Sequence, residues 1–163
     1  ISCFHPETTI TIKQNLKNLK ELIQFVLKSN QNVIFTFPNA DVGFNTYIKL
    51  IENMLLKKNN INLIKNLGTK YYYSLLKKSH IMVGNSSSGI IESSSFYIPV
   101  INLGNRQKDR FAPSNVFNCS FNSKLILKLN NKLLNKSKIR IKNPYFKSSC
   151  SKNVLNILFK KLS

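Results

Sequence analysis

The run Gly84-Asn85-Ser86-Ser87-Ser88-Gly89-Ile90-Ile91-Glu92 is where this chain is best equipped for chemistry. It follows an apolar stretch and leads into a helical pattern. A helix start offers unpaired backbone N–H groups and a partial positive charge, which together attract an anion. Small side chains let a phosphate reach the backbone, and the Ser hydroxyls add donors. Glu92, about one turn further on, can accept from a diol, as acidic residues do with ribose in dinucleotide sites. An ordinary Ser-capped helix with a polar first turn accounts for the same residues equally well.

Other candidates stand elsewhere in the chain. Asn102-Leu103-Gly104-Asn105-Arg106-Gln107 is followed closely by Arg110. Arg106 suits a diphosphate or the closing of a site. A surface arginine is the commoner fate, but the chain has only Arg106, Arg110 and Arg140, and two of them sit together. His5, in His5-Pro6-Glu7-Thr8, can bind a phosphate or give it a proton, although a lone His is more often structural. Asn39 and Asp41 can meet polar groups of a ligand or form a turn, and for Asp41 the turn is preferred. Tyr71-Tyr72-Tyr73 reads as packing rather than a stacking platform. Cys3, Cys119 and Cys150 are far apart, form no CxxC pair, and are joined by only two His, His5 and His80. The sequence therefore calls for no metal and no cofactor, and the odd Cys count suits reduced thiols in a cytoplasmic protein.

These residues need elements to position them. Strands are expected at 1–5, 33–37, 61–65, 80–84, 98–102 and 115–119. Helices are expected at 10–29, 45–58, 69–79, 88–96, 122–135 and 150–162, with Thr8 or Thr9 capping the first and Asn143-Pro144 separating the last two. Apolar strands alternating with amphipathic helices predict an α/β fold, a Rossmann-like doubly wound parallel sheet covered on both faces. Such sheets bind ligands at the carboxyl ends of their strands. His5, Phe37 to Asp41, Leu67 to Thr69, Asn85 to Gly89 and Asn102 to Arg110 all fall there.

A length of 163 residues with 42% apolar content suits one folded domain. No apolar run is long enough to span a membrane. The chain opens at Ile1 inside an expected strand, without a charged and apolar leader, so a fragment or excised domain is expected. The net charge of +19 raises a polyanion partner. The lysines, however, are spread along the chain and mixed with Asn and Ile. A solvated lysine surface is preferred, and nucleic acid is not the expected partner.

Taken together, FHPET (4–8), FPNAD (37–41), GNSSSGIIE (84–92), PVINLGNRQ (99–107) with Arg110, and Asn115-Val116 resemble the hydrolysing UDP-N-acetylglucosamine 2-epimerases. Each segment is weak alone, but they occur in the family's order and spacing. The resemblance covers only the second of the family's two Rossmann-like domains, so residues 1–163 read as the C-terminal half of a fold like that of type-B glycosyltransferases, with 122–163 as a helical tail. It implies that His5 contacts the diphosphate near the sugar and that Asn39 reaches the substrate. Ser86 and Ser87 would hold the phosphates, Glu92 the ribose hydroxyls, Arg106 would sit by the phosphates, and the backbone near Leu67 would meet the uracil edge. The implied reaction eliminates the nucleoside diphosphate across C1–C2 and adds water to the glycal. It yields N-acetylmannosamine or a diacetamido analogue for sialic-acid-type sugar synthesis. The family's principal acid/base carboxylates lie on the absent domain, so this chain alone is expected to bind nucleotide weakly and not to turn over. The resemblance also implies a homo-oligomer for the full-length enzyme. It suggests that the final helix packs back against the first domain.

Two readings of other classes remain. A type-B glycosyltransferase donor domain also holds a sugar nucleotide with a helix start and a Glu on ribose. A basic nucleic-acid module would show binding that falls steeply with salt. A degenerate, non-catalytic domain is a further possibility that one sequence leaves open.

Overall fold

The computed structural model describes residues 1–40, 43–135 and 139–162. Asp41, whose expected turn was weighed above, lies outside them. Six parallel strands form one sheet: β1 (Ser2–Cys3), β2 (Val33–Thr36), β3 (Ile61–Ile64), β4 (Met82–Gly84), β5 (Val100–Leu103) and β6 (Val116–Cys119). Their order is β3-β2-β1-β4-β5-β6. The chain builds outward from β1 to β3, then returns to lay β4 against β1. The order reverses there, and a crevice opens at such a switch point.

Helices cover both faces. Along the strands, alternate residues enter different cores, as the two-residue period requires. Phe4, Val83 and Ile101 join the larger cluster with α1 (Ile12–Lys28), α2 (Phe44–Leu55) and α5 (Ser123–Leu134). Cys3, Met82 and Val100 join a smaller one with Leu76 of α3 (Gly68–Lys78). The α/β doubly wound parallel sheet expected from the sequence is what the structure shows.

Some boundaries moved for local reasons. Helix α1 is capped by Thr11 rather than Thr8 or Thr9. Thr11 Oγ1 accepts from the Gln14 N–H at 3.2 Å, and Gln14 Oε1 accepts from the Thr11 N–H at 2.9 Å. This is a capping box, and the T-x-x-Q signature was present in the sequence. Strand β5 starts after Pro99, which has no N–H to donate. The expected helix at 88–96 is α-helical only as α4 (Ser88–Ile91) and continues as a 3-10 turn over Ser93–Phe96. Side chains compete for its backbone there. Ser93 Oγ donates to the Gly89 carbonyl at 2.6 Å, and Asn143 Nδ2 donates to the Ile91 carbonyl at 2.8 Å. Helix α6 (Cys150–Leu162) contains no buried residue.

Candidate functional site

A crevice of about 470 Å³ opens at the carboxyl ends of β1 to β4. His5 enters it from β1, Asn39 from β2, Leu67 from the turn after β3, and Ser86 and Glu92 from the segment after β4. Of the sequence candidates, these five share one space. Ser87 does not line it. Arg106 does not line it either; its side chain is exposed, and its Nη1 donates to the Asn85 carbonyl at 3.1 Å.

Each residue is held by a nameable device. Gly84 ends β4 opposite Cys3, and a Cβ there would lie 2.0 Å from the Cys3 carbonyl oxygen. Only glycine lets the strands approach this closely while the chain turns toward Ser86. Asn66 Oδ1 accepts from the Gly68 N–H at 2.8 Å and shapes the turn that carries Leu67. The His5 ring meets the Asn39 N–H through Nδ1 at a long 3.5 Å.

Glu92 sits one turn past the start of α4, as expected, but the α-helix ends there. It is the residue at which α4 gives way to the 3-10 turn. A single helical turn carries little macrodipole, so this wall of the crevice acts through local hydroxyls and amides. The Glu92 carboxylate accepts from Ser88 Oγ at 2.6 Å and from Tyr73 Oη at 3.3 Å. Tyr72 Oη in turn donates to Ser88 Oγ at 2.7 Å. Burial, above all, raises the Tyr72 phenol's pKa well beyond its usual value, and the Glu92 charge raises that of Tyr73. Both stay protonated donors at neutral pH.

Beneath Ser86 lies Cys3. Burial pushes its thiol up to about 11, opposed in part by a hydrogen bond from the Ser86 amide. The Asn85 carbonyl is held by Arg106 and by Gln107 Nε2 at 3.0 Å.

Several lining residues were not singled out from the sequence. Tyr72 and Tyr73 were read as packing alone. Tyr73 does pack on Phe96, with ring centroids 5.4 Å apart, yet both tyrosines also line the crevice through their hydroxyls. Nothing local in the sequence brings them to Glu92, because a full crossover intervenes. Lys65 also faces the crevice. It is the first residue past β3, the same kind of strand-end position that pointed to His5, so a signal for it existed. A wider concavity of about 570 Å³ lies at the amino ends of the strands, beside Val33 and His80. Its lining includes His80 and Ser79 but, among the described residues, no carboxylate, and doubly wound sheets bind at the other end. Among the described residues, no three His, Cys, Asp or Glu side chains are grouped closely enough to hold a metal ion.

Residues 1–159 match the family described as UDP-N-acetylglucosamine 2-epimerase. The chain belongs to the UDP-N-acetylglucosamine 2-epimerase family. A Campylobacter jejuni relative, named GDP/UDP-N,N'-diacetylbacillosamine 2-epimerase (hydrolyzing), is 37% identical over 121 residues, which is 73% of this chain and 31% of that protein. A Legionella pneumophila relative, named UDP-N,N'-diacetylbacillosamine 2-epimerase (hydrolyzing), is 31% identical over 159 residues, 95% of this chain and 41% of that protein. The chain thus spans well under half the length of these epimerases. Among solved structures, a Methanocaldococcus jannaschii UDP-GlcNAc 2-epimerase in complex with UDP-GlcNAc and UDP matches with a TM-score of 0.75 at 16% identity, over 98% of this chain and 44% of that one. The Neisseria meningitidis UDP-GlcNAc 2-epimerase bound to UDP-GlcNAc matches at 0.71 and 20% identity, again over 98% of this chain and 44% of that one. At these identities the likeness establishes the fold.

Proposed function

We propose that this chain is the nucleotide-binding half of a hydrolysing 2-epimerase acting on a UDP-linked 2-acetamido sugar. The observation that carries the proposal is the crevice wall at Glu92. A carboxylate oriented by two hydroxyl donors stands beside Ser86 and faces His5 and Leu67 across one space. A carboxylate accepts at about four lone-pair positions, so Glu92 keeps capacity for a ribose diol. Ser86 and His5 are the groups for the diphosphate, with Ser87 and Arg106, which do not line the crevice, assigned beside them. Asn39 reaches toward the sugar, and the Leu67 backbone toward the base. Two relatives named as hydrolysing enzymes for diacetylbacillosamine favour a diacetamido sugar as substrate. A 29% identical Escherichia coli relative, named polysialic acid biosynthesis protein P7, favours a product that feeds sialic-acid-type synthesis.

In the reaction so read, a base removes the C2 proton, the C–H electron pair becomes the C1=C2 bond, and the C1–O bond breaks to release UDP. Water then adds hydroxyl to C1, and a proton returns to C2 on the opposite face. This chain's part is to hold and stabilise the leaving diphosphate. The carboxylates that move the C2 proton belong to the half of the enzyme in front of it. No helix among the described residues is long and apolar enough to cross a membrane. We take the whole enzyme to be cytoplasmic and homo-oligomeric.

The test is isotopic. With UDP-linked 2-acetamido sugar in deuterated water, the chain joined to its preceding half should release UDP and a free 2-epimer carrying one deuterium at C2. The chain alone should release neither. Turnover by the chain alone, or a product still linked to UDP, would overturn the proposal.

A further inference from the structure

One buried side chain spans the reversal point of the sheet. Asn85 is 0% exposed. Its Oδ1 accepts from the His5 N–H at 2.8 Å, and its Nδ2 donates to the His5 carbonyl at 2.7 Å. The last backbone pair between these strands is Cys3 with Gly84. Beyond it, the Asn85 amide replaces a strand neighbour and carries the pairing of β1 one step further, to His5. The Asn85 carbonyl accepts from Arg106 Nη1 and Gln107 Nε2. Gln107 is buried and Arg106 exposed, so this acceptor stays filled when Arg106 moves.

We propose that Asn85 is the positioning residue of this site: it fixes His5 over the crevice and ties that placement to the Arg106 loop. The proposal rests on the reading of His5 as the group that meets the diphosphate. The physical case is one of satisfaction. A buried amide with both polar ends engaged on one residue's N–H and C=O leaves that residue little rotational freedom, and removing it strands both groups. The His5 backbone then sets where its imidazole lies. The Asn39 N–H on Nδ1 favours the neutral tautomer with its proton on Nε2.

The chain's two histidines make the test internal, because His80 lies at the opposite end of the sheet. Nitrogen NMR of the ligand-free chain, above the imidazole titration range, should show His5 in a single Nε2–H tautomer. In Asn85→Ala the His5 nitrogens should move to tautomer-averaged positions while those of His80 stay in place. Unmoved His5 signals overturn the proposal, as do His5 and His80 signals that move together. Should Asn85→Ala not fold, Asn85→Ser decides by the same two comparisons, since its shorter side chain reaches at most one of the two His5 groups. UDP affinity should fall about tenfold in Asn85→Ala, but less than about twofold when His5 is already Ala, as expected for coupled residues. UDP that leaves the wild-type His5 signals unmoved would sink the placement of the diphosphate, whereas the ligand-free spectra would still decide the role of Asn85.

Discussion

Cys3 shows how one residue's environment becomes a property of the whole chain. Its thiol is buried, and burial raises its pKa from 9.0 to about 11. The fold favours the protonated form, so the unfolded chain loses this proton first as pH rises. The linked stability is fully present below about pH 9 and is lost between there and about pH 11. The Tyr72 phenol, raised chiefly by burial, acts in the same direction at higher pH. Denaturant unfolding across alkaline pH should therefore show a falling midpoint, and Cys3→Ala should flatten the first part of the fall. An unchanged slope in that variant would contradict the burial argument.

At the scale of elements, Gly84 is the tightest point between β1 and β4. Its added Cβ would meet the Cys3 carbonyl at 2.0 Å, backbone that cannot step aside. Gly84→Ala should cost about 3 kcal/mol or more, above the common range for overpacking. A thermal midpoint close to wild type would show that the strands separate more easily than their register implies. Gly84 was quoted in the motif, yet its mate across the sheet was not legible, because pairing is non-local. What the sequence did show were features of short range. The alternation of strands and helices, and the strand-end positions of His5, Asn39, Leu67, Ser86 and Glu92, could be read from period and punctuation. The break of the 88–96 helix was legible only in part, since Ser93 lies within the segment but Asn143 acts from some 50 residues away. The Thr11 cap was legible and overlooked. The joint role of Tyr72 and Tyr73 at Glu92 required the crossover that the fold supplies.

At the scale of the molecule, α6 is an amphipathic helix without a buried residue. Leu155, Leu158, Phe159 and Leu162, which share one side of the helix, are all at least half exposed. A contiguous apolar face of this kind drives association. Sedimentation of the chain should show concentration-dependent self-association, and Phe159→Ser should reduce it while leaving far-UV circular dichroism unchanged. Association indifferent to that substitution would place the sticky surface elsewhere. The net charge of +19 also belongs to this scale. It raises affinity for any polyanion, but through dispersed lysines whose effect salt screens. In the reading proposed above, the crevice would add directional contacts that salt weakens less.

That difference defines the most direct measurement, a calorimetric titration of the chain with UDP and with duplex DNA at low and moderate salt. Hydrogen bonds to a charged group contribute about 1.5–3 kcal/mol. UDP binding should therefore survive moderate salt and weaken by at least about tenfold in Ser86→Ala and in Glu92→Ala. DNA binding that disappears with salt and ignores both substitutions, with no UDP binding beside it, would contradict the account and leave a polyanion surface in its place.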